Sequence, residues 1–552
     1  MSLEIVMYQM QPIVGDLSHN LQKITSFYLQ NKDCDLILTP ELSLCGYSPL
    51  DDLFSNDFKE EIQENIKKII NLTLHNRAKI IIGSPYYEKG KIYNVLLVIG
   101  NGEILEIIYK SKLPNYGVFN EVRYFSTKSS KNIITINNVK CGIYLCEDMW
   151  HRDKVLEVLE QNPQVCISIN ASVFESDKHK IRTNIAKQVY KLAKNKIVLL
   201  YLNNVGALDD VVFDGNSFVM DENANVISVM NHCSEDVLKI SYNNNDEHNK
   251  IVASLNREYV RDENYLNYGA INIALTNFMQ INGFEGVILG LSGGIDSVLS
   301  ATICADILGS NKVIAVSMPT KYTSKLSKNI IASVVKNLGI KLIEIPIDDI
   351  LNNYETNTKD VLNLNTNAVG ENLQARIRGN LLMALSNQYP KFMVLTTGNK
   401  SEIATGYSTL YGDSCGAFNL LKDLYKTQVF SLAKYLNVSI AWFSQLQKFN
   451  LIPKKAISRK PSAELKDNQF DEDNLMEYNI LDKIIYDVVE KNLALGKLYD
   501  KYNHDNVNKV LKLLKNSQHK RVQSATGIKL SSRSFSFKEY QYPIASAYKI
   551  NR

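Results

Sequence analysis

Two groups of residues in this 552-residue chain could do chemistry. The first centres on Cys146, in the string Gly-Ile-Tyr-Leu-Cys-Glu-Asp-Met-Trp at residues 142–150. An apolar run ends at the cysteine and acidic residues follow, so the thiol stands where a strand stops. The other seven cysteines (34, 45, 141, 166, 233, 304 and 415) are scattered without CxxC pairs. They read as buried small hydrophobes rather than as a disulfide framework or a zinc site. Cys146 differs in the residues that accompany it. Glu41 follows Leu-Ile-Leu-Thr-Pro at 36–40, again past an apolar run, and Lys110 opens Lys-Ser-Lys-Leu-Pro-Asn-Tyr-Gly-Val-Phe-Asn-Glu at 110–121. A thiol attacks only once it has lost its proton. Glu41 can take that proton and later return one to a leaving group, while Lys110 and a backbone N–H can stabilise an oxyanion. Glu121 offers a second carboxylate to orient Lys110 or a water.

The second group is Val-Ile-Leu-Gly-Leu-Ser-Gly-Gly-Ile-Asp-Ser at 287–297. A buried strand ends near Ser292 and a helix begins near Asp296. Between them Gly293 and Gly294 permit positive φ and close backbone approach to a ligand. The free N–H groups, the helix N-terminus and the hydroxyls of Ser292 and Ser297 suit an anion. No Lys follows the glycines, so this is not the GxxxxGK[ST] loop, and it is not the GxGxxG fingerprint. Downstream come Thr-Gly-Asn-Lys-Ser-Glu at 397–402, Tyr-Gly-Asp at 411–413, Lys426 in Asp-Leu-Tyr-Lys-Thr, and Pro-Ser-Ala-Glu-Leu at 461–465. Each puts polar side chains just past a strand end or in a turn, where open α/β sheets bind ligands.

Both groups require strands to present them. Residues 3–7, 36–38, 79–82, 95–99, 142–145, 165–169 and 197–202 are short β-branched runs, interleaved with helical patterns at 58–74 and 178–193. Strand-like runs recur at 287–291, 313–318, 342–347 and 392–396, each beside a helical stretch, which indicates a doubly wound parallel sheet. Residues 471–492 and 503–518 read as helices. The polar stretch Ser-Tyr-Asn-Asn-Asn-Asp-Glu-His-Asn-Lys at 241–250 reads as a linker. The expected division is therefore 1–240, a linker at 241–262, and 263–552.

The Glu41, Lys110, Cys146 order resembles the nitrilase superfamily of carbon–nitrogen hydrolases over about residues 3–230. The register of Lys-x-x-Leu-Pro makes Lys110, not Lys112, the catalytic lysine. The Leu-Pro-Asn-Tyr-Gly-Val-Phe string and the Tyr124–Phe125 pair resemble the glutamine-hydrolysing domain of NAD synthetases. The resemblance implies an αββα sandwich, a thioester at Cys146, and Tyr116, Glu147, Ser172 and Lys178 gripping glutamine. Lys178 and Arg182 read equally as an exposed helical face. Val-Gly-Ala-Leu-Asp at 205–209 departs from the Gly-Gln-Asp string usual in that family, which touches the glutamine pocket or domain contact but not the triad.

The Ser-Gly-Gly-Ile-Asp-Ser string resembles the pyrophosphate loop of the ATP pyrophosphatase superfamily. With the downstream strings it resembles the NAD synthetase family over about residues 260–540. That implies ATP held by Gly290, Ser292, Gly293, Gly294, Asp296, Ser297, Thr397, Lys426 and Ser462, and Mg²⁺ held by Asp296 and Glu402. It implies nicotinic acid adenine dinucleotide near Arg376, Arg378, Asn399, Glu402 and Asp413, the arginines reaching across a subunit boundary in a homo-oligomer. Together the halves imply one chain that hydrolyses glutamine and passes ammonia to an adenylated dinucleotide, giving NAD, AMP, pyrophosphate and glutamate. Three alternatives stay open: another amidotransferase of the same ATP-cleaving type, an inactive nitrilase-like module, and a nucleotide-binding sensor.

Composition sets the boundaries. Lys plus Arg total 62 and Asp plus Glu 58, a net of +4, which argues against a nucleic-acid coat. No apolar run approaches the roughly 18 residues of a membrane span. The Met-Ser-Leu-Glu-Ile-Val start lacks a signal-peptide pattern, and a reducing cytoplasm is the expected setting.

Overall fold

The computed structural model describes every residue except Met1, 246–247, 365–367, 463, 467–470, 472–474, 537–538 and 546–552. The chain forms two compact units, Met1–Asp262 and Glu263–Arg552.

In the first unit the strands are β1 Ser2–Gln9, β2 Leu36–Leu38, β3 Lys79–Glu88, β4 Lys91–Gly100, β5 Glu103–Tyr109, β6 Ile133–Ile136, β7 Val139–Leu145, β8 Val165–Asn170, β9 Val198–Asn203, β10 Val205–Leu208, β11 Val211–Asp214, β12 Phe218–Met220, β13 Val226–Val229, β14 Asp236–Asn245 and β15 His248–Ala253. They make a seven-stranded sheet, ordered β15-β14-β1-β2-β3-β4-β5, and a six-stranded sheet, ordered β13-β12-β9-β8-β7-β6, with β10–β11 a separate hairpin. Strand periodicity explains the layering, because alternate residues face opposite sides. Leu3, Ile5 and Met7 of β1 share one core with Ile143 and Leu145 of β7, Ile167 and Ile169 of β8, and Leu200 and Leu202 of β9. The other face of β1, with Val6 and Tyr8, packs on Ile24, Phe27, Ile62 and Ile66 from the helices Leu17–Gln30 and Asn56–Leu72. On the far side Tyr144, Cys166, Leu199 and Tyr201 meet Val155, Val158, Ala186 and Val189 from the helices Arg152–Leu159 and Lys178–Leu192. The result is the αββα sandwich.

The structure corrects the reading of 241–262 as a linker. β14 pairs antiparallel with β1, from Ser2 opposite Asn243 to Gln9 opposite Asp236, and β15 pairs with β14. Leu238, Ile240 and Tyr242 are buried on one face of β14, while Lys239 is exposed. Asn and Ser on the outward positions hid this period-2 signal, and the first unit continues through Asp262.

The helix Lys178–Leu192 buries His179, Arg182, Ala186 and Val189, one stripe at helical spacing. Arg182 is thus fully buried, against the exposed-face reading, and pairs with Asp214 at 2.8 Å. His179 stacks on Tyr259 at 3.8 Å between ring centroids. Burial, followed by the Arg182 charge, pulls the His179 imidazole down to about 4. A folded pKa below the unfolded value of about 6.5 means stability is complete above that pH and is lost as pH falls toward 4. Acidification from pH 7 to pH 5 should therefore lower the melting temperature of the parent more than that of His179→Phe, measured by calorimetry; equal losses would exclude the effect.

The second unit adds β16 Gly286–Gly290, β17 Val313–Ser317, β18 Lys341–Glu344, β19 Phe392–Thr396, β20 Phe418–Asn419 and β21 Thr526–Gly527. Their order is β18-β17-β16-β19-β20-β21, with every pairing parallel. The chain winds outward one way from β16 and the other way from β19, so a crevice must open between the C-terminal ends of these two strands. The helix Ile295–Leu308 is buried nearly all round. Of the expected helix 471–492, residues 472–474 lie outside the described residues, and the described helix runs Tyr478–Val489. The helix expected at 503–518 is His504–Asn516.

Candidate active sites

The first site is built at the strand ends of the sandwich. Glu41 sits in the loop after β2, whose backbone packs directly on β3. A Cβ at Gly83 would lie 2.5 Å from the Pro40 carbonyl oxygen and 2.2 Å from the Leu42 nitrogen, so only glycine admits this loop. Glu41 is fully buried. Its Oε1 accepts from Lys110 Nζ at 2.6 Å and from Asn94 Nδ2 at 2.8 Å. Its Oε2 accepts from the Ala171 N–H at 2.7 Å. Lys110 follows β5 and also reaches Glu121 Oε1 at 2.7 Å, which accepts a second donor, the Tyr47 hydroxyl, at 2.7 Å. Glu121 Oε2 is buried without a hydrogen-bond partner among the described residues.

Cys146 follows β7 and opens a short 3₁₀ turn, Cys146–Trp150, at φ +51°. That conformation is uncommon for a side chain of this kind and marks a turn that aims the sulfur. Burial, then the negative charge of Glu41, push the thiol well above its ordinary range, while Lys110 acts the other way. The resting nucleophile is therefore the thiol, and a base must remove its proton. Burial opposes the Lys110 ammonium, but the carboxylates of Glu121 and Glu41 outweigh it and hold the lysine charged. Burial pushes the Glu121 carboxyl up, with Lys110 opposing. The expected set Glu41, Lys110, Glu121 and Cys146 thus forms one buried charge network.

The expected glutamine-binding residues are more spread. Tyr116 donates its hydroxyl to Glu147 Oε2 at 2.9 Å, and His151 Nε2 stands 3.3 Å from Glu147 Oε1. Ser172 is buried: its N–H donates to Asn203 Oδ1 at 2.8 Å and its hydroxyl accepts from Arg182 Nε at 3.0 Å. Lys178 lies over the Trp150 ring at 5.6 Å and pairs with Glu175 at 3.5 Å. Ala207 and Leu208 belong to the hairpin β10–β11. Tyr47, Asn94, Asn203 and Arg182 are the partners that sequence reasoning missed. An Asn inside the apolar run Tyr-Asn-Val at 93–95 is the signal that could have exposed one, since a buried amide needs partners.

The second site is the crevice at β16 and β19, a cavity of about 300 Å³. It gathers Gly290, Ser292, Gly294, Asp296, Ser297, Arg378, Thr397, Glu402, Asp413, Lys426 and Ser462. Gly293, at φ +83°, does not line it; a Cβ there would lie 2.9 Å from the Ser327 carbonyl oxygen, so glycine lets the turn pass beneath the cavity floor. Lys426 Nζ meets Asp296 Oδ2 at 2.5 Å and Glu402 Oε1 at 3.3 Å. Asn399, expected near the dinucleotide, is fully buried. It caps the helix Lys400–Thr405 in a reciprocal arrangement with Glu402 and donates to Asp296 Oδ1 at 2.9 Å. Arg376, with Arg378, is expected to act across a subunit boundary. It is outside the cavity and donates to the Leu410 carbonyl at 3.3 Å, because residues two apart on the helix Val369–Gln388 face different ways. Arg378 does face the cavity, donating to the Met318 carbonyl at 3.1 Å, and burial lowers its pKa to about 10. Of the string 461–465, Ala463 lies outside the described residues.

Burial, opposed by Lys426 and reinforced by Asp296 and Asp471, pushes the Glu402 carboxyl to about 8. Burial raises Asp413 to about 6. Among the described residues no group of three or more His, Cys, Asp or Glu side chains could hold a metal unaided. A hard cation that also takes phosphate oxygens needs only one or two carboxylates. Asp296 and Glu402, converging on one ammonium with a third carboxyl near, are an oxygen-only set that fits such a cation, whose charge would favour the ionised form of Glu402. Sequence reasoning missed Lys400, fully buried, which pairs with Asp423 and Glu490 at 2.9 Å each and donates to Ser531 Oγ at 2.6 Å. These bonds anchor the start of the helix that carries Glu402.

An N-terminal unit with a buried Cys–Glu–Lys set and a C-terminal parallel sheet with a Ser-Gly-Gly crevice define a two-part amidotransferase class. Residues 5–245 match the carbon-nitrogen hydrolase family and residues 268–524 match the NAD synthase family. The glutamine-dependent NAD(+) synthetase of Acinetobacter baylyi is 36% identical over 560 residues, covering 99% of each chain. That of Thermotoga maritima is 33% identical, with 99% of each chain covered. The solved glutamine-dependent NAD+ synthetase from Acinetobacter baumannii, in complex with adenosine diphosphate, superposes with a TM-score of 0.77 at 33% identity, covering 100% of both chains. The chain belongs to the glutamine-dependent NAD(+) synthetase family. Full-length likeness removes the reading as a different amidotransferase. Among the described residues no helix is long and apolar enough to cross a membrane.

Proposed function

We propose that this chain makes NAD from nicotinic acid adenine dinucleotide, ATP and glutamine, with AMP, pyrophosphate and glutamate as by-products. The observation that carries the reading is the buried network of Glu41, Lys110 and Glu121 beside the buried Cys146 sulfur. Glu41 removes the Cys146 proton as the sulfur attacks the amide carbon. Lys110 stabilises the oxyanion, collapse releases ammonia with a proton returned from Glu41, and water hydrolyses the thioester. Glu121, with one oxygen saturated by Lys110 and Tyr47, keeps Oε2 for the substrate amide or that water. Tyr116, Glu147, Ser172 and Lys178 take the rest of glutamine.

In the other unit ATP lies on the Ser292–Ser297 turn, with Thr397, Lys426 and Ser462 toward its phosphates. The Acinetobacter baumannii relative was solved in complex with adenosine diphosphate, which supports nucleotide binding by this chain. Arg378 and Asp413 face the dinucleotide. Asp296 and Glu402 would hold Mg²⁺, which offsets phosphate charge when bound. The nicotinate carboxylate attacks the α-phosphate, pyrophosphate leaves, and ammonia from Cys146 then displaces AMP. Lys426 neutralises negative charge that builds on the phosphates. The free state of the described cysteines supports a cytoplasmic setting, and the exposed Arg376 supports a homo-oligomer in which it meets a second copy. Incubation with glutamine, ATP, Mg²⁺ and the dinucleotide should yield NAD, AMP, pyrophosphate and glutamate in comparable amounts by chromatography. Tight dinucleotide binding with no product would instead favour the sensor.

A further inference from the structure

Cys146 and Lys110 come from different sheets of the sandwich, at the ends of β7 and β5. Attack on an amide nonetheless demands that sulfur and ammonium be placed within a fraction of an ångström. Asp148, fully buried two residues beyond the nucleophile, spans the two sheet ends. Its Oδ1 accepts from the Ser111 N–H at 3.1 Å, the Ser111 hydroxyl at 2.7 Å and the Lys112 N–H at 2.9 Å. Those are the two residues that follow Lys110.

We propose that Asp148 is a positioning residue for glutamine hydrolysis, a staple that fixes the Lys110 segment against the turn that carries Cys146. The inference rests on the glutaminase reading above. Three donors converging on one carboxylate oxygen form a charge-assisted set, stronger and more directional than neutral contacts. Asp148 also lies inside the turn Cys146–Trp150, whose first residue holds φ +51°. A left-handed non-glycine residue persists only where its surroundings over-determine it. Anchoring the turn two residues on, to the strand end that bears Lys110, does this and sets register between nucleophile and lysine at once. A side chain serving only the sandwich core would need no partners on the catalytic segment.

The test uses the full chain with Asp148→Ala, Asp148→Asn and Ser111→Ala. Glutamine hydrolysis, ammonia-driven NAD formation, and alkylation of Cys146 by iodoacetamide across pH are measured for each. Asp148→Ala should lower kcat for glutamine by about 100-fold with KM changed less than about threefold, and should shift the alkylation profile. Ammonia-driven synthesis should persist. Asp148→Asn keeps an acceptor oxygen toward both N–H groups and should recover most of kcat. Ser111→Ala, which removes only the hydroxyl, should fall between, and serves if Asp148→Ala does not fold. Parental kcat and alkylation profile in both Asp148→Ala and Ser111→Ala overturn the proposal. So does parallel loss of ammonia-driven synthesis with no rescue by Asp148→Asn, the mark of a general fold role. A parent chain that hydrolyses no glutamine would overturn the functional reading and this inference with it.

Discussion

Cys146→Ala will abolish glutamine-driven NAD formation, by roughly three orders of magnitude or more, while ammonia-driven formation stays within about twofold of the parent. The size follows from the chemistry. Without the sulfur there is no thioester, and neither Glu41 nor Lys110 can substitute for a nucleophile. The spared activity follows from architecture, because the two units fold on separate sets of strands and the crevice owes no residue to the sandwich. Alanine also removes little volume from the buried turn. The measurement is NAD formation with glutamine against ammonium chloride at saturating ATP. Loss of both activities in a folded variant would sink the assignment of two separable sites.

The second large effect is expected in the other unit. Asp296→Asn should lower dinucleotide-dependent ATP–pyrophosphate exchange by about two to three orders of magnitude, and raise the Mg²⁺ concentration for half-maximal rate. Asp296 contacts Lys426 at 2.5 Å and receives the Asn399 amide at 2.9 Å, so it is the junction of the lysine, the capped helix and the glycine turn. Replacing its charge leaves Lys426 paired with Glu402 alone and removes one of two carboxylates suited to a cation. Glutamine hydrolysis measured without ATP should be unchanged. An exchange rate equal to that of the parent would refute the role.

Much of this was legible in the sequence because strands announce themselves by period and catalytic side chains stand at their ends. Residues 36–38 and 392–396 coincide with β2 and β19, and Glu41 and Cys146 each follow such a run, whereas β5, which precedes Lys110, is not among the expected strands. Two kinds of feature were not legible. One is partnership between distant residues: nothing local says that Asn94 will reach Glu41, or that Arg182 will turn inward to meet Asp214. The other is orientation on a helix or cap. Arg376 and Arg378 share a motif but not a face, and the Asn399 side chain caps a helix and donates to Asp296. Polar outward positions also masked β14 and β15, since a half-exposed edge shows only every second residue to the core.

That hairpin has a practical bearing on dissecting the enzyme. A fragment ended at residue 240 would cut β14 in half and discard β15, leaving Ser2–Glu4 of β1 without their partner strand and exposing a bare row of N–H and C=O groups there. Such a raw flank invites self-association, so an isolated amidase should be cut after Asp262.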